Sequence, residues 1–259
     1  MPKNILFLST SEAYAHSVIK QEGGHRSIAD RVLGELAAKA GARFTSSKDA
    51  SLLNARDLAD YDLVMFYTCG ELDKPNMEGA PVMGEDGMAA LSDWIQSGGG
   101  LIGLHATTYI SEDPDPAPCP FVQILGAEFR THGDEFEGVL EVVDPSHPAM
   151  SSIPTQWKLF EEWYLFKKLD VATMHVLAIL DPGPERAKQE LYNIPSCPII
   201  WCSALGAGRC YFNALGHRED VWSNPVFQNS LLDAMGWAMG EGETQAEPNY
   251  DAVVPKEIG

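Results

Sequence analysis

Short apolar runs alternate with segments of helical periodicity along the first hundred residues of this chain. The apolar runs predict buried strands at residues 3–8, 61–67 and 101–104, and the periodic segments predict helices at residues 27–40 and 83–96. Elements in the order β-α-β-α-β form a parallel sheet with helices on both faces. The sequence therefore predicts an α/β fold with a doubly wound sheet.

The later part of the chain is less regular, but it contains signals for a β-hairpin and a long helix. We expect the hairpin strands at residues 199–202 and 209–213, and the helix at residues 225–239. The remaining expected elements are a helix-like stretch at 50–59, a loop at 109–120, and strands at 138–143 and 174–180. Together they predict one domain at residues 1–240, followed by an acidic tail along the surface at residues 241–259.

The charge of the chain narrows the choice of partners. Its 259 residues carry a formal net charge of -19, so phosphate backbones and anionic membranes would be repelled. The apolar run after Met1 is too short for a signal peptide, and no other run is long enough to span a bilayer. We expect a cytoplasmic protein without nucleic-acid or membrane partners. A homo-oligomer is compatible with this composition.

Two histidines directly follow predicted strands. The glycine run at 98–100 leads into a short strand that stops at His105, and Gly216 precedes His217 just after the second hairpin strand. Open α/β sheets place their chemistry at the carboxyl ends of strands, and a glycine lets the backbone turn sharply there. We therefore expect His105 and His217 to approach each other across one cleft as catalytic residues.

Two acids precede two aromatic residues at positions 161–164. An acid among apolar neighbours is costly to bury unless it is paired or bound to a metal. Alternation along a strand would place Glu161 and Glu162 on opposite faces, and the plainer alternative is a strand edge with one acid in solvent. Aromatic rings beside a carboxylate suit a sugar, because rings stack on sugar C–H faces and the acid accepts hydroxyl groups. Trp163 and Tyr164 are therefore candidates for binding a sugar substrate.

Two kinds of chemistry fit these residues. Histidines with a carboxylate bind Zn²⁺, Mn²⁺ or Fe²⁺ with positions left for substrate, and the candidate ligands are His105, His132 and His217. Alternatively, a histidine base and a carboxylate acid act on a sugar carbon without a metal. The sequence alone leaves both open, with His132 and Glu219 as further candidates for substrate binding.

Other catalytic motifs are missing from the sequence. It contains no HExxH, GxSxG or Walker motif, and its glycine run precedes a strand, so we expect no nucleotide cofactor. The five cysteines are odd in number and form no Cys-x-x-Cys pair, which argues against a disulfide framework or a zinc ribbon. Cys69 ends a predicted strand with no histidine near it in sequence. The position at a strand end makes a thiol hydrolase using Cys69 a rival hypothesis, although no nearby histidine is available in sequence to act as its base.

Motifs along the chain resemble the ThuA-like family, which is named for trehalose utilisation. They lie, in order, at residues 98–106, 125–132, 144–150, 161–164, 206–212, 215–217 and 222–227. The resemblance implies a flavodoxin-like, mostly parallel α/β fold of the class I glutamine amidotransferase type and a role in carbohydrate metabolism. Members of this family often accompany sugar dehydrogenases that make 3-keto sugars.

The amidotransferase pattern, carried over residue by residue, implies an altered site. The nucleophilic cysteine of its Gly-x-Cys element falls at His105, and its His-Pro-Glu element falls at residues 217–219. Without that cysteine no glutaminyl thioester forms at the elbow, so we expect no glutaminase activity. The family motif also supports Glu162, rather than Glu161, as the acid that faces the cleft.

The expected function is therefore carbohydrate utilisation on a trehalose-type sugar or a 3-keto glycoside, by a lyase, hydratase or isomerase. A keto group acidifies the neighbouring C–H, so that one base and one electrophile suffice, and the electrophile is a divalent metal or a histidine. The alternative is a non-catalytic sugar-binding or scaffold protein on the same fold.

Overall fold

The computed structural model describes residues 2–111, 119–194 and 197–255, which form a nine-stranded sheet, a two-stranded sheet and flanking helices. The strands are β1 (Asn4–Leu8), β2 (Arg43–Ser47), β3 (Leu63–Phe66), β4 (Gly100–Leu104), β5 (Glu128–His132), β6 (Phe136–Val142), β7 (Gln156–Glu161), β8 (Tyr164–Lys167), β9 (His175–Asp181), β10 (Pro198–Leu205) and β11 (Gly208–Asn213). The α-helices are α1 (Ile28–Lys39), α2 (Ala55–Leu58), α3 (Gly87–Gln96), α4 (Pro120–Leu125), α5 (Glu219–Trp222), α6 (Pro225–Ala238) and α7 (Tyr250–Val253). Short 3₁₀ turns cover Ser17–Ile19, Ala50–Leu52, His105–Thr108, Pro148–Met150 and Glu190–Tyr192. Within the described ranges, no helix combines the length and the apolar character needed to cross a bilayer.

The larger sheet has the strand order β2-β1-β3-β4-β11-β10-β9-β6-β7. Neighbouring strands from β2 to β11 are parallel, and those from β11 to β7 are antiparallel. β3 and β4 are buried along their whole length, as expected for parallel strands covered on both faces. The predicted flavodoxin-like α/β class is confirmed, and so is the hairpin, which β10 and β11 form.

Two local differences from the sequence-based expectations have simple causes. β2 was not expected, because it is an edge strand with exposed and half-buried residues and therefore lacks an apolar run. The helix-like stretch at 50–59 is a 3₁₀ turn followed by α2, and Asn54 separates them by capping α2 with its side-chain oxygen. In the expected loop at 109–120, residues 112–118 lie outside the described residues.

The acidic tail runs along the surface and is fixed to the domain by hydrogen bonds. The Arg209 guanidinium donates to the carbonyls of Glu241 at 2.9 Å and Gly242 at 3.0 Å. Further along, the Asn249 side chain exchanges two hydrogen bonds with the backbone of Val176 in β9. Residues 256–259 lie outside the described residues.

His147 is a buried turn residue packed between β10 and α6. Its Nδ1 accepts the Ala149 N–H at 3.2 Å, so the proton of the neutral ring lies on Nε2, which faces Cys202 Sγ at 3.6 Å. The ring also packs against Trp237, with 5.1 Å between the ring centroids. Burial lowers the pKa of His147 to about 4, and the neighbouring His175 acts in the same direction.

Acid should therefore destabilise the protein through His147. The unfolded chain protonates this histidine below a pKa of 6.5 and the folded chain only near 4, so the free energy of unfolding falls as the pH drops through that window. The slope is at most about 1.4 kcal/mol per pH unit. Between about pH 7 and pH 5, urea titrations should show a loss that is about 2 kcal/mol greater for the wild type than for His147→Asn, which keeps a capping oxygen. Equal losses in both proteins would contradict this assignment.

Candidate active site

Two neighbouring parallel strands end at one edge of the sheet and bring the predicted histidines together. β4 ends at Leu104 and His105 follows at once, while β11 ends at Asn213 and reaches His217 through Gly216. Because β4 and β11 are parallel neighbours, their carboxyl ends are adjacent. This edge is where open α/β sheets place their ligands.

His105 occupies a sharp elbow after β4. Its φ of 41° lies in the left-handed region, which is uncommon for a residue other than glycine and is held only by the surrounding structure. The side chain is fully buried, and its Nδ1–H donates to the Ala214 carbonyl at 2.7 Å. That bond leaves the lone pair of the neutral ring on Nε2, which lies 3.3 Å from Nδ1 of His217.

The ring of His217, like that of His105, is oriented by a backbone turn and by a polar partner of one ring nitrogen. Gly216 turns the backbone with a φ of 109°, and the other ring nitrogen, Nε2, lies 3.3 Å from the Glu135 carboxylate. Nδ1 in turn lies 3.2 Å from the Glu162 carboxylate, and a neutral ring donates to only one of the two acids, so the tautomer with its proton on Nε2 keeps a lone pair on Nδ1. Burial lowers the pKa of His217, with His105 acting in the same direction, so the ring is neutral at neutral pH.

Glu162 lies between β7 and β8 and faces both rings. Its Oε2 is 3.4 Å from His105 Nε2 and 3.2 Å from His217 Nδ1, and its Oε1 is 3.1 Å from His132 Nδ1. Burial alone would raise the pKa of Glu162, but the neighbouring His105, His217 and His132 lower it below its usual range. The carboxyl is therefore ionised.

His16 joins this cluster from the loop after β1. Its ring centroid lies 5.2 Å from that of His105 and 5.3 Å from that of His217. Its Nδ1 is buried and has no hydrogen-bond partner among the described residues. Burial lowers the pKa of His16 to about 2, so this ring also offers a neutral nitrogen.

Donor atoms of His16, His105, Glu162 and His217 all lie within 4.8 Å of one another. Three of these atoms, His105 Nε2, His217 Nδ1 and Glu162 Oε2, form a triangle with sides of 3.2, 3.3 and 3.4 Å. Each atom aims a lone pair inward when the rings hold the tautomers described above. Lone pairs that point at one another repel unless a proton or a cation lies between the donor atoms. Tetrahedral Zn²⁺ with bonds of about 2.0–2.1 Å sets its ligands about 3.3 Å apart, so the triangle fits this ion.

The other predicted site residues divide into two groups. Tyr164 packs against His105 in a tilted arrangement with 4.1 Å between ring centroids, and His132 lies at the rim with 40% of its side chain exposed. Trp163, by contrast, is buried away from the cleft, where its Nε1 donates to the Phe136 carbonyl at 3.0 Å. Glu219 is hydrogen-bonded to Ser17 instead of to a residue of the cluster.

The cleft above the cluster has a volume of about 420 Å³. Its walls are mainly aromatic, formed by Tyr14, Tyr109, Phe129 and Tyr164. None of the lining side chains in the described part of the chain is a lysine or an arginine. The cleft therefore offers ring faces above a floor of imidazoles and one carboxylate.

Two residues of this site were not in the predicted set. His16 follows no predicted strand and belongs to no motif, so only the fold places it beside His105. Glu135 is one acid among many in an acidic chain, and its contact with His217 depends on the pairing of β6. Their sequence neighbourhoods contain no signal that would have identified either residue.

The fold and the site define a class of protein: a flavodoxin-like α/β protein with a histidine at the strand-end elbow and a histidine–carboxylate cluster beside it. The family model for ThuA, described as trehalose utilisation, matches residues 16–238. The chain belongs to this family, and membership supports a carbohydrate-related role.

Solved structures share this fold. A ThuA-like protein from Bacteroides uniformis ATCC 8492 is 18% identical with a TM-score of 0.70, covering 95% of this chain and 94% of the other. One from Parabacteroides merdae ATCC 43184 is 17% identical with a TM-score of 0.67, covering 99% and 98%. A cytoplasmic protein from Salmonella typhimurium is 11% identical with a TM-score of 0.56, covering 91% and 98%. Comparison with curated protein sequences found no match.

Proposed function

We propose that this protein is a metal-assisted acid–base enzyme that acts on a keto derivative of a glycoside. The observation that carries the proposal is the triangle of donor atoms from His105, His217 and Glu162 at the floor of an aromatic cleft. Three protein donors leave at least one coordination position for another ligand, as in catalytic zinc sites. His16 is close enough to add a fourth donor.

The residues that hold the ion differ from the residue that moves the proton. A bound divalent ion would polarise the keto oxygen of the substrate. His132 is suited to take the acidified proton, because its Nδ1–H donates to the Gly133 carbonyl at 2.9 Å and its Nε2 is left as a free base. Loss of that proton breaks the C–O bond on the next carbon, the leaving oxygen takes the proton back from His132 and departs as an alcohol, and addition of water to the resulting double bond completes a net hydrolysis.

The walls of the cleft support a sugar as the substrate. The exposed ring of Tyr14 and the half-buried ring of Phe129 line the cleft and offer faces on which sugar C–H groups stack. The absence of a lysine or an arginine among the described lining residues favours an uncharged sugar over a sugar phosphate. The carbohydrate-related role of the family points to the same substrate class.

Metal analysis of protein purified without added metal tests the first half of the proposal. We expect about one divalent ion per chain, removable by a chelator and restored by Zn²⁺, Mn²⁺ or Fe²⁺. Turnover of a 3-keto glycoside should follow the metal content. Sugar binding without metal and without turnover would instead favour the non-catalytic sugar-binding protein.

A pair of variants separates this proposal from thiol chemistry. His217→Ala should lower turnover about 10²–10⁴-fold, because it removes one corner of the triangle. Cys69→Ser is conservative in size and should stay within a few-fold of the wild type. Equal and large losses in steady-state assays of both variants would place the thiol hydrolase ahead of the metal-assisted enzyme.

A further inference from the structure

Glu161 is an acid at an apolar position of β7. The inward-facing residues of this strand are Trp157, Leu159 and Glu161, and Glu161 is fully buried. Glu162 is also buried, so neither acid of the pair lies in solvent. A buried carboxyl costs free energy unless it is hydrogen-bonded, so this position requires a specific partner.

The partner of Glu161 is the turn that carries His217. Its Oε1 accepts the backbone N–H of Gly216 at 3.1 Å and that of His217 at 2.7 Å. This turn lies between β11 and α5 and belongs to neither, so no helix or sheet ladder holds these two peptide groups. A carboxyl more than fifty residues earlier in the chain holds them instead.

We propose that Glu161 is a positioning residue: its carboxyl holds the Gly216–His217 backbone and thereby aims the His217 ring at the triangle of donor atoms. The inference rests on the proposed function, because the ring direction matters for a metal ligand. Glu161 contacts the backbone of His217 but not the donor atoms of the triangle, whose carboxylate corner is Glu162.

The two oxygens of the Glu161 carboxyl have different surroundings. Glu161 Oε2 is buried and has no hydrogen-bond partner among the described residues, so an ionised oxygen there would be uncompensated. Burial raises the pKa of Glu161 well above its usual range, and the N–H groups of His217 and Gly216 act in the opposite direction. Oε1 accepts from both N–H groups, a task that the side-chain oxygen of a glutamine also performs.

Two variants test this role, with Zn²⁺ alone as the probe. Glu161→Gln keeps a neutral oxygen at the Oε1 position, whereas Glu161→Met keeps the length of the side chain and removes the acceptor. Zinc affinity is measured by competition with a chelator. We expect Glu161→Gln to stay within about threefold of the wild type and Glu161→Met to bind zinc about 10–100-fold more weakly, as after loss of an outer hydrogen-bond partner.

A second readout does not depend on metal. In metal-free protein, the NMR signals of the His217 ring should shift in Glu161→Met and stay near the wild-type positions in Glu161→Gln. If the wild type binds no zinc, the proposed function fails, and this readout still decides the role of Glu161. If Glu161→Met does not fold, Glu161→Asp replaces it, because its shorter side chain does not reach both N–H groups.

Two results would overturn the inference. A loss of zinc affinity in Glu161→Gln as large as that in Glu161→Met would mean that accepting the two N–H groups is not what Glu161 contributes. An unchanged affinity together with unchanged His217 signals in Glu161→Met would mean that the turn holds the ring without Glu161.

Discussion

Replacing His105 with asparagine should lower zinc affinity more than about 100-fold and turnover about 10²–10⁴-fold. Asparagine tolerates the left-handed backbone at this elbow better than most residues, so the fold should persist. Its side chain is too short to replace the Nε2 lone pair, and two of the three sides of the donor triangle are lost. Affinity is measured by chelator competition and turnover on a 3-keto glycoside.

His132→Asn is the matched control, because it changes a histidine that contacts the same carboxylate from outside the triangle. We expect this variant to bind zinc within a few-fold of the wild type while losing about 10²–10³ in turnover, since only the proposed base is removed. If His105→Asn keeps wild-type zinc affinity, or if His132→Asn loses as much affinity as His105→Asn, the assignment of the ligands is wrong.

Gly208→Ala should lower the free energy of unfolding by about 3 kcal/mol or more, which is at the upper end of typical overpacking effects. A Cβ at this position would lie 2.1 Å from the Ile95 carbonyl oxygen and 2.6 Å from that of Gly99. Both atoms belong to the backbone and cannot rotate away. The start of β11 or the end of α3 would therefore have to move.

Gly84→Ala provides the control for this change, because a Cβ there meets no atom within 4 Å. Calorimetry should show a melting temperature at least about 6 °C below that of the wild type for Gly208→Ala and a difference of no more than about 2 °C for Gly84→Ala. Similar melting temperatures for the two variants would contradict this prediction, because they would show that the β10–β11 hairpin can move away from α3 with little loss of stability.

The parts of the fold that sequence patterns predicted share one physical property. Buried parallel strands are continuous apolar runs, so β1, β3 and β4 were recognisable, and the strand ends located His105 and His217. Edge strand β2 and the partly exposed strand β7 lack such runs. Their residues become predictable only when pairing partners are known.

Side-chain direction explains the remaining differences within the site. Trp163 and Tyr164 are adjacent, and the chain turns between β7 and β8, so one ring packs in the core and the other lines the cleft. Glu219 stands two residues after His217, yet it lies at the start of α5, where its side chain meets Ser17. The sequence positions of Trp163 and Glu219 placed these residues near the site but did not fix where their side chains point.

The donor cluster is assembled from positions 16, 105, 162 and 217, which span most of the chain. Loop closure over such distances is entropically costly, so an unfolded chain does not gather these groups. An ion held by all of them would bind the native state selectively and raise its stability by about 1.4 kcal/mol for each tenfold excess of free ion over the dissociation constant. The midpoint of thermal unfolding would then report the occupancy of the site even before any substrate is identified.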